Sequence, residues 1–565
     1  MPSKRSKSAE KKRSASSLPR SPQVSTLYPP EDFDNSDATI LYKCIKTLFK
    51  FTSGAFYSTI EVKGVENVPK VGDATILCFN HGNGLADPKL IIRSTPRMVR
   101  FCAKDTLWKL PVMGSLVKGS GAVPVYRTTE HGTDARELNR VMFKSVYDAL
   151  DQGQMLGFAP EGVSRFLPFM AKPFKTGVAR IAYETVSRNI SANPNFSVKI
   201  LPTGITFTHR EKFRSDVVVI YGEPIVVDKS WMEGNGQFSS YKQSIIELTK
   251  RLEVQMHDLT INCPDWETTQ VAMTAARIHR PLGTKIRLSE YVMHLRGWVE
   301  LLKPRDNEDE AAPKEFSFDG AEYLRKKLLQ YQAFLNYKQI KDEHVRCIEY
   351  QGPMPRHVII MRMIQRALMT LVLLGCASPG ILVWAPTWYL LKRRERQLLS
   401  KGPRWNDSVA EMKMLYGTGS VTLTLLLVPF FTRWYVPLLM PFAFYLTIRF
   451  YEDGVASARS FFTLWKLLFL YKSNMDKLRG MRRECKQLIS KLAKKLPKTA
   501  NIADGAAEVI TEADVNIPWY STKWYEWTYT NFLLNLFLRR QKKDWNEVLR
   551  LNDHNTMDYV EEDVF

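Results

Sequence analysis

Close cysteine pairs, metal-ligand spacings and acidic charge are what this chain has least of. Its seven cysteines, at positions 44, 78, 102, 263, 346, 376 and 485, are widely scattered. That argues against a disulfide framework and a thiolate metal site, and for a reducing compartment. The nine histidines spread over 565 residues show no zinc-ligand spacing. Ser164 is not set in a G-x-S-x-G turn, so there is no nucleophile elbow. Residues 1–22, rich in Ser, Lys and Arg, lack the apolar core of a signal peptide and read as a solvated basic tail. Against 80 Lys and Arg stand only 58 Asp and Glu, and the resulting charge of +22 calls for an anionic partner or surface. No basic zipper region or RNA-binding signature accompanies that charge, so nucleic acid is not expected. An anionic lipid surface together with a polyanionic small molecule fits better.

What is present suits a packed protein of more than one unit. Hydrophobic residues make up 45% of the chain, which includes 13 Trp, so wholesale disorder is excluded. From Ile40 to Phe56 apolar residues recur at helical spacing around Lys43, Lys46 and Lys50. Such a helix either lies in a bilayer interface or packs on its own domain. Strand-like runs near 58–63, 74–79, 98–103, 121–126, 154–158, 198–208 and 216–226 alternate with helical ones. Helices are expected at 87–94, 107–118, 134–152 and 175–186. This alternation predicts an α/β domain with a mixed, largely parallel sheet flanked by helices, with functional loops at one sheet edge. The expected organisation is a basic tail over 1–38, an amphipathic helix over 39–56 and the α/β domain over 57–235. A helical extension over 236–355, broken by the acidic run 307–310, precedes apolar helical hairpins over 356–475 and an amphipathic helical region over 476–565.

The most pointed segment is Asn80-His81-Gly82-Asn83-Gly84-Leu85-Ala86-Asp87-Pro88, directly after the apolar run Ile76–Phe79. A histidine whose second ring nitrogen is held by a carboxylate can strip a proton from a hydroxyl. Five residues separate His81 from Asp87, so on a regular helix the two would not share a face. They meet only if the chain turns, which Gly82 and Gly84 permit. Asp87-Pro88 also reads as an N-cap and first helical residue.

Three further blocks follow: Gly121-Ala122-Val123-Pro124-Val125-Tyr126-Arg127, then Phe158-Ala159-Pro160-Glu161-Gly162-Val163-Ser164-Arg165, then Lys199-Ile200-Leu201-Pro202-Thr203-Gly204-Ile205. In this order the four blocks resemble the glycerolipid acyltransferase family. The five-residue gap within the first block resembles the branch that acylates glycerol 3-phosphate or dihydroxyacetone phosphate, as found in fungal endoplasmic reticulum. The segment Thr260-Ile261-Asn262-Cys263-Pro264-Asp265-Trp266-Glu267-Thr268 and the apolar region around Ser378-Pro379-Gly380 are similar to parts of the same branch.

That resemblance implies a membrane-bound O-acyltransferase using acyl-CoA as cosubstrate, with no further cofactor and no metal. His81 and Asp87 are its expected catalytic pair. Arg127 and Arg165 are the cations for the acceptor phosphate, being suited to fork geometry. Glu161 belongs by resemblance to the acceptor site, bonding a hydroxyl or orienting an arginine, with Gly162 allowing close backbone approach. Lys104 and Lys175 are further electrostatic candidates, and Pro202 shapes the acyl or coenzyme A channel. A lysophosphatidic acid acceptor, or a lipid-binding scaffold without turnover, are the alternatives. The implied location is the endoplasmic reticulum membrane with a cytosolic catalytic face, or a lipid droplet surface.

About 25 uncharged residues run from Ala367 to Leu391, enough to cross a bilayer core of roughly 30 Å. Ser378-Pro379-Gly380 interrupts them, and basic residues crowd both flanks. This pattern predicts a re-entrant hairpin with both ends cytosolic. A second apolar region, Leu415 to Ile448, is broken at Thr432-Arg433 and predicts another. Near the end, Trp519, Tyr520, Trp524, Tyr525 and Trp527 with Arg539-Arg540 suit a membrane interface or docking onto the protein's own helices.

Overall fold

The structure is a computed structural model that describes residues 40–496, apart from 110–112, 127–134, 163–166, 234–240, 280–287, 305–318, 339, 341, 343–344, 346–355, 401, 403–407, 432–435, 470–471 and 495. The basic tail, the acidic run 307–310, Thr432-Arg433 and the aromatic region beyond 500 lie outside the described residues, as do Arg127 and Arg165.

Helix α1 (Ile40–Phe56) leads into β1 (Thr59–Lys63), β2 (Thr75–Phe79), α2 (Ala86–Ser94), β3 (Arg100–Lys104), α3 (Met113–Gly119) and β4 (Val123–Val125). Then come α4 (Ala135–Asp151), β5 (Met155–Phe158), α5 (Gly177–Asn189), β6 (Val198–Phe207), β7 (Asp216–Tyr221) and β8 (Ile225–Val227). The strands form one sheet in the order β1-β7-β6-β2-β5-β3-β4, with β8 also on β6. All pairings are parallel except those of β6 with β7 and β8. The mixed, largely parallel sheet expected from the alternation is therefore present.

Central β2 is buried at every residue, as a parallel strand covered on both faces must be. Its alternation divides two cores. Ile76 and Cys78 join Leu156, Ile200 and the inner sides of α4 and α5, while Leu77 and Phe79 join Leu201, Ile205 and residues of α1 and α2. The run expected as a single strand over 216–226 is two strands, split at Gly222-Glu223-Pro224. That split accommodates Pro202 in an interior strand. Tyr221 pairs with Thr203 and Ile225 with Ile200, so the missing N–H falls where the neighbouring chain passes from β7 to β8. The Pro202 carbonyl still accepts from Gly222 N–H at 2.8 Å.

Helix α1 packs on its own domain and keeps an apolar stripe outside that packing. Tyr42, Ile45, Phe49 and Phe56 are buried in the domain core. Ile40, Cys44, Leu48 and Phe51 form a separate exposed stripe at helical spacing, flanked by exposed Lys43 and Lys50.

After a short α6 (Lys229–Glu233), α7 (Tyr241–Leu259) packs under the sheet. Helices α8 (Trp266–His279), α9 (Leu288–Leu302) and α10 (Asp319–Lys338) build a second core around Trp298, joined to the sheet through Val218 and Ile220.

The apolar region is three helices: α11 (Arg356–Leu399), α12 (Val409–Phe431) and α13 (Val436–Phe469). The hairpin turn expected at Ser378-Pro379-Gly380 is not formed. Helix α11 runs unbroken through Pro379 and Pro386 for 44 residues, or about 66 Å. The small residues serve a helix contact instead, since a methyl group at Gly380 would overlap the Thr447 side chain of α13, and one at Gly454 would meet Leu374. The chain reverses between α11 and α12. Among the described residues one helix, Ile359–Leu399, is long and apolar enough to cross a membrane, with little of its apolar stretch buried inside the protein. Helix α14 (Lys472–Ala493) then returns to the second core, where Arg482 pairs with Asp342 at 2.9 Å, both fully buried.

Candidate active site

Parallel pairing puts the C-terminal ends of β2, β4, β5 and β6 at one sheet edge. The segments carrying His81 and Glu161, and residues 208–215, leave from that edge, where an open α/β sheet places its ligands.

The His81 loop is built from its own polar side chains. Asn80 extends the ladder beyond β2: its Nδ2 donates to Ile205 O at 2.9 Å, and its Oδ1 accepts from Ile205 N at 2.7 Å. Asn83 N–H donates to Asp87 Oδ2 at 2.9 Å, and Ala86 N–H to Asn83 O at 2.9 Å, which folds the loop onto the start of α2. Gly84, at φ 45°, takes the left-handed turn. Asp87 is not the N-cap that Asp-Pro suggested. Leu85 holds that position, and Asp87 sits in the first turn with its side chain directed back into the loop. The result is that His81 Nδ1 lies 3.0 Å from Asp87 Oδ2, with His81 half-buried and Asp87 fully buried. An Nδ1–H donated to the carboxylate leaves Nε2 with the lone pair needed to accept a proton. Behind the pair, Tyr57 is buried, and burial with the Asp87 charge keeps its hydroxyl from ionising far beyond the ordinary range.

Glu161 closes the other side. Its turn is made by Gly162, at φ 73°, whose N–H returns to Ala159 O at 3.0 Å. The carboxylate bridges two loops, Oε1 accepting from His81 N at 2.8 Å and Oε2 from Ala171 N at 2.9 Å. Burial pushes its carboxyl above the ordinary value, while the two N–H donors and the attraction of His81 and Arg210 act against that rise. Glu161 thus holds the His81 loop through backbone. The adjoining loop is held in turn by the segment around Trp266: Asn262 Oδ1 accepts from Met170 N at 2.9 Å, and Cys263 N donates to Pro168 O at 3.1 Å.

Of the other residues singled out by sequence, Lys175 is exposed and lies along Gly162, its Cγ 3.3 Å from where a Cβ would stand. Lys104 is exposed at the end of β3. Pro202 is buried within the sheet in register with Cys78. Asn80, Asn83 and Asn262 carry more of the geometry than their motif positions suggested. Arg210, three residues past β6, was missed altogether. Its guanidinium lies over Gly82, with Nη1 3.0 Å from where a Cβ would stand. A lone arginine after a strand carries no spacing signal of its own. Among the described residues no cluster of His, Cys, Asp and Glu could hold a metal ion.

Residues 59–206 match the family model described as Acyltransferase. Over 519 residues the chain is 23% identical to glycerol-3-phosphate O-acyltransferase 2 of Saccharomyces cerevisiae, covering 74% of this chain and 67% of that protein. With glycerol-3-phosphate O-acyltransferase 1 of the same yeast it shares 27% identity over 286 residues, covering 49% of this chain and 35% of the relative. An uncharacterized acyltransferase of Schizosaccharomyces pombe is 24% identical over 253 residues, 45% of this chain and 34% of that one. The crystal structure of the 1-acyl-sn-glycerophosphate (LPA) acyltransferase PlsC from Thermotoga maritima superposes with a TM-score of 0.28 at 23% identity, covering 38% of this chain and 77% of that chain. With its His81–Asp87 pair at the end of a central parallel strand, the segment 59–206 is an acyltransferase domain.

Proposed function

We propose that this protein is a membrane-bound O-acyltransferase that moves a fatty acyl group from acyl-CoA to the sn-1 hydroxyl of glycerol 3-phosphate, dihydroxyacetone phosphate or both. The single observation that carries this reading is the 3.0 Å approach of His81 Nδ1 to a buried carboxylate, on a loop held by Glu161. The yeast relatives, named as glycerol-3-phosphate O-acyltransferases, point to the acceptor.

In this reading the acceptor hydroxyl gives its proton to His81 Nε2 as its oxygen bonds to the thioester carbonyl carbon. Asp87 stabilises the imidazolium that forms. The tetrahedral intermediate then breaks its C–S bond, expelling the coenzyme A thiolate, which the imidazolium reprotonates. The attacking oxygen belongs to the substrate, so no protein nucleophile and no cofactor beyond the acyl-CoA cosubstrate are needed. Arg127 and Arg165 are proposed to meet the acceptor phosphate, with Lys104 and Lys175 adding positive potential and Pro202 helping to shape the acyl or coenzyme A channel.

The exposed stripe of α1 and the lipid-compatible surface of α11 suit attachment to a bilayer with anionic headgroups. The endoplasmic reticulum membrane, catalytic face to the cytosol, or a lipid droplet surface, is the proposed location. The test is acyl transfer by purified protein from labelled acyl-CoA to glycerol 3-phosphate, dihydroxyacetone phosphate and lysophosphatidic acid. His81→Ala is expected to lose roughly 10²- to 10⁴-fold in rate. A folded His81→Ala protein with near wild-type turnover removes the general-base assignment, and a rate confined to lysophosphatidic acid removes the acceptor assignment.

A further inference from the structure

We propose that Glu411 is a positioning residue for the His81–Asp87 pair, an assignment that rests on the acyl-transfer function proposed above. The need for it comes from the way α2 begins. A helix start leaves its first backbone N–H groups without partners inside the helix, and a polar side chain at the N-cap ordinarily meets one of them. Here the N-cap is Leu85, which has no side-chain acceptor. The carboxylate in the first turn, Asp87, is directed back into the loop, where Oδ2 accepts from Asn83 N–H and faces His81 Nδ1. The residue that orients the histidine is therefore withdrawn from its own helix start.

Glu411 of α12 brings a carboxylate to that start from 326 positions away, its Oε2 accepting from Leu85 N–H at 3.4 Å. A negative charge there also suits the positive end of the α2 dipole. Lys89, whose N–H returns to Leu85 O in the first turn, sets a cation near the same end. Burial lowers the Lys89 ammonium below the ordinary lysine value, and the attraction of Glu411 acts against that fall. Glu411 thus acts on both ends of the turn in which Asp87 stands.

Packing holds the carboxylate in place. Ala410 and Met414, on either side of Glu411 in α12, are buried in one core with Ala86 and Leu90 of α2. Lys413 fastens the same turn, pairing with Glu395 at 2.6 Å and donating to Glu211 O at 2.9 Å. Further along α12, Leu423, Leu426 and Phe430 are exposed. One helix therefore carries a lipid-compatible outer surface and, at its inner end, a carboxylate against the loop that pairs His81 with Asp87. The apolar helices belong to the geometry of the site as well as to its anchoring.

The experiment measures initial rates of acyl transfer to glycerol 3-phosphate for wild type, Glu411→Gln and Glu411→Ala, each also in the His81→Ala background. Glu411→Ala is expected to lower kcat about tenfold, with the KM values for glycerol 3-phosphate and acyl-CoA changed less than about twofold. Glu411→Gln keeps an acceptor for Leu85 N–H without the charge and is expected to fall between. In the His81→Ala background the same substitutions are expected to lower the residual rate less than about twofold, because a residue that acts through His81 then has nothing to position. Where Glu411→Ala does not fold, as judged by thermal melting, the nearly isosteric Glu411→Gln carries the comparison. A folded variant with wild-type kcat overturns the assignment. So does a loss of equal size in both backgrounds, which marks a role in packing alone. Either result leaves acyl transfer by the wild type intact, whereas a wild-type protein that transfers no acyl group overturns the proposed function and Glu411's role with it.

Discussion

Glu161 Oε1 accepts the backbone N–H of His81 at 2.8 Å, across 80 positions of sequence. The carboxylate that closes one motif is thereby the clamp on the loop of another, and its second oxygen clamps Ala171. Glu161→Gln leaves an amide N–H facing one of those backbone donors, which unmakes that bond at a cost of about 1–3 kcal/mol. A roughly 10- to 100-fold fall in kcat is expected, with little change in the acyl-CoA KM, measured by steady-state kinetics. Unimpaired turnover in Glu161→Gln shows that the clamp does not set the base.

The apolar helices reach the same loops. Glu411 on α12 accepts from Leu85 N–H at 3.4 Å, and Lys413 joins Glu395 at 2.6 Å while donating to Glu211 O. Lys413→Ala frees the segment whose Arg210 carbonyl accepts from Asn83 of the His81 loop, and is expected to lower kcat about three- to tenfold, with the melting temperature changed little. A kcat identical to wild type shows that the helical region does not act on this segment.

The chain's stability should depend on pH through His257. Burial, with the Lys172 charge added, lowers its imidazole from 6.5 to about 4. Its ring lies stacked beside Phe174, with centroids 6.5 Å apart. The unfolded chain binds the proton first as pH falls, so this contribution is whole above pH 6.5 and is lost progressively toward pH 4. Allowing for its partial exposure to water, the loss is on the order of 1–2 kcal/mol. Melting temperatures between pH 7.5 and 5 should fall more steeply for wild type than for His257→Phe. Parallel curves exclude this histidine as the source.

Arg482 and Asp342 bind α14 to the helical extension as a fully buried pair, with Tyr331 also donating to Asp342 at 2.6 Å. Arg482→Met leaves that carboxylate without its cation and is expected to cost about 3–5 kcal/mol, whereas Arg482→Met with Asp342→Leu should cost much less. Chemical denaturation of the three proteins distinguishes these outcomes. Equal losses in the single and double variants mean that packing, and not charge, holds the joint.

Periodicity was enough to place most of the elements. The order of strands and helices over 57–235 follows from alternation and turn residues, because a buried parallel sheet must be written in apolar runs separated by breakers. The His81–Asp87 partnership was legible only as one of two readings, since two glycines permit the turn that brings the carboxylate back to the imidazole. Local pattern misled at Ser378-Pro379-Gly380, where small residues that look like a turn instead let two helices approach at Gly380 and Thr447. It misled again at Asp87, whose carboxylate could cap a helix or hold a histidine, a choice made by the fold of Asn83 around it.

The amino-acid order by itself determined the strands, the apolar helices and the loop that pairs His81 with Asp87, because these depend on spacing within a few residues. Tertiary structure alone decided that Glu161 faces backbone, that Arg210 lies over Gly82 and that Lys413 reaches the Arg210 segment. Each of those contacts joins residues about 80 or more positions apart, with no periodicity between them, so only the closed path of the chain brings them together.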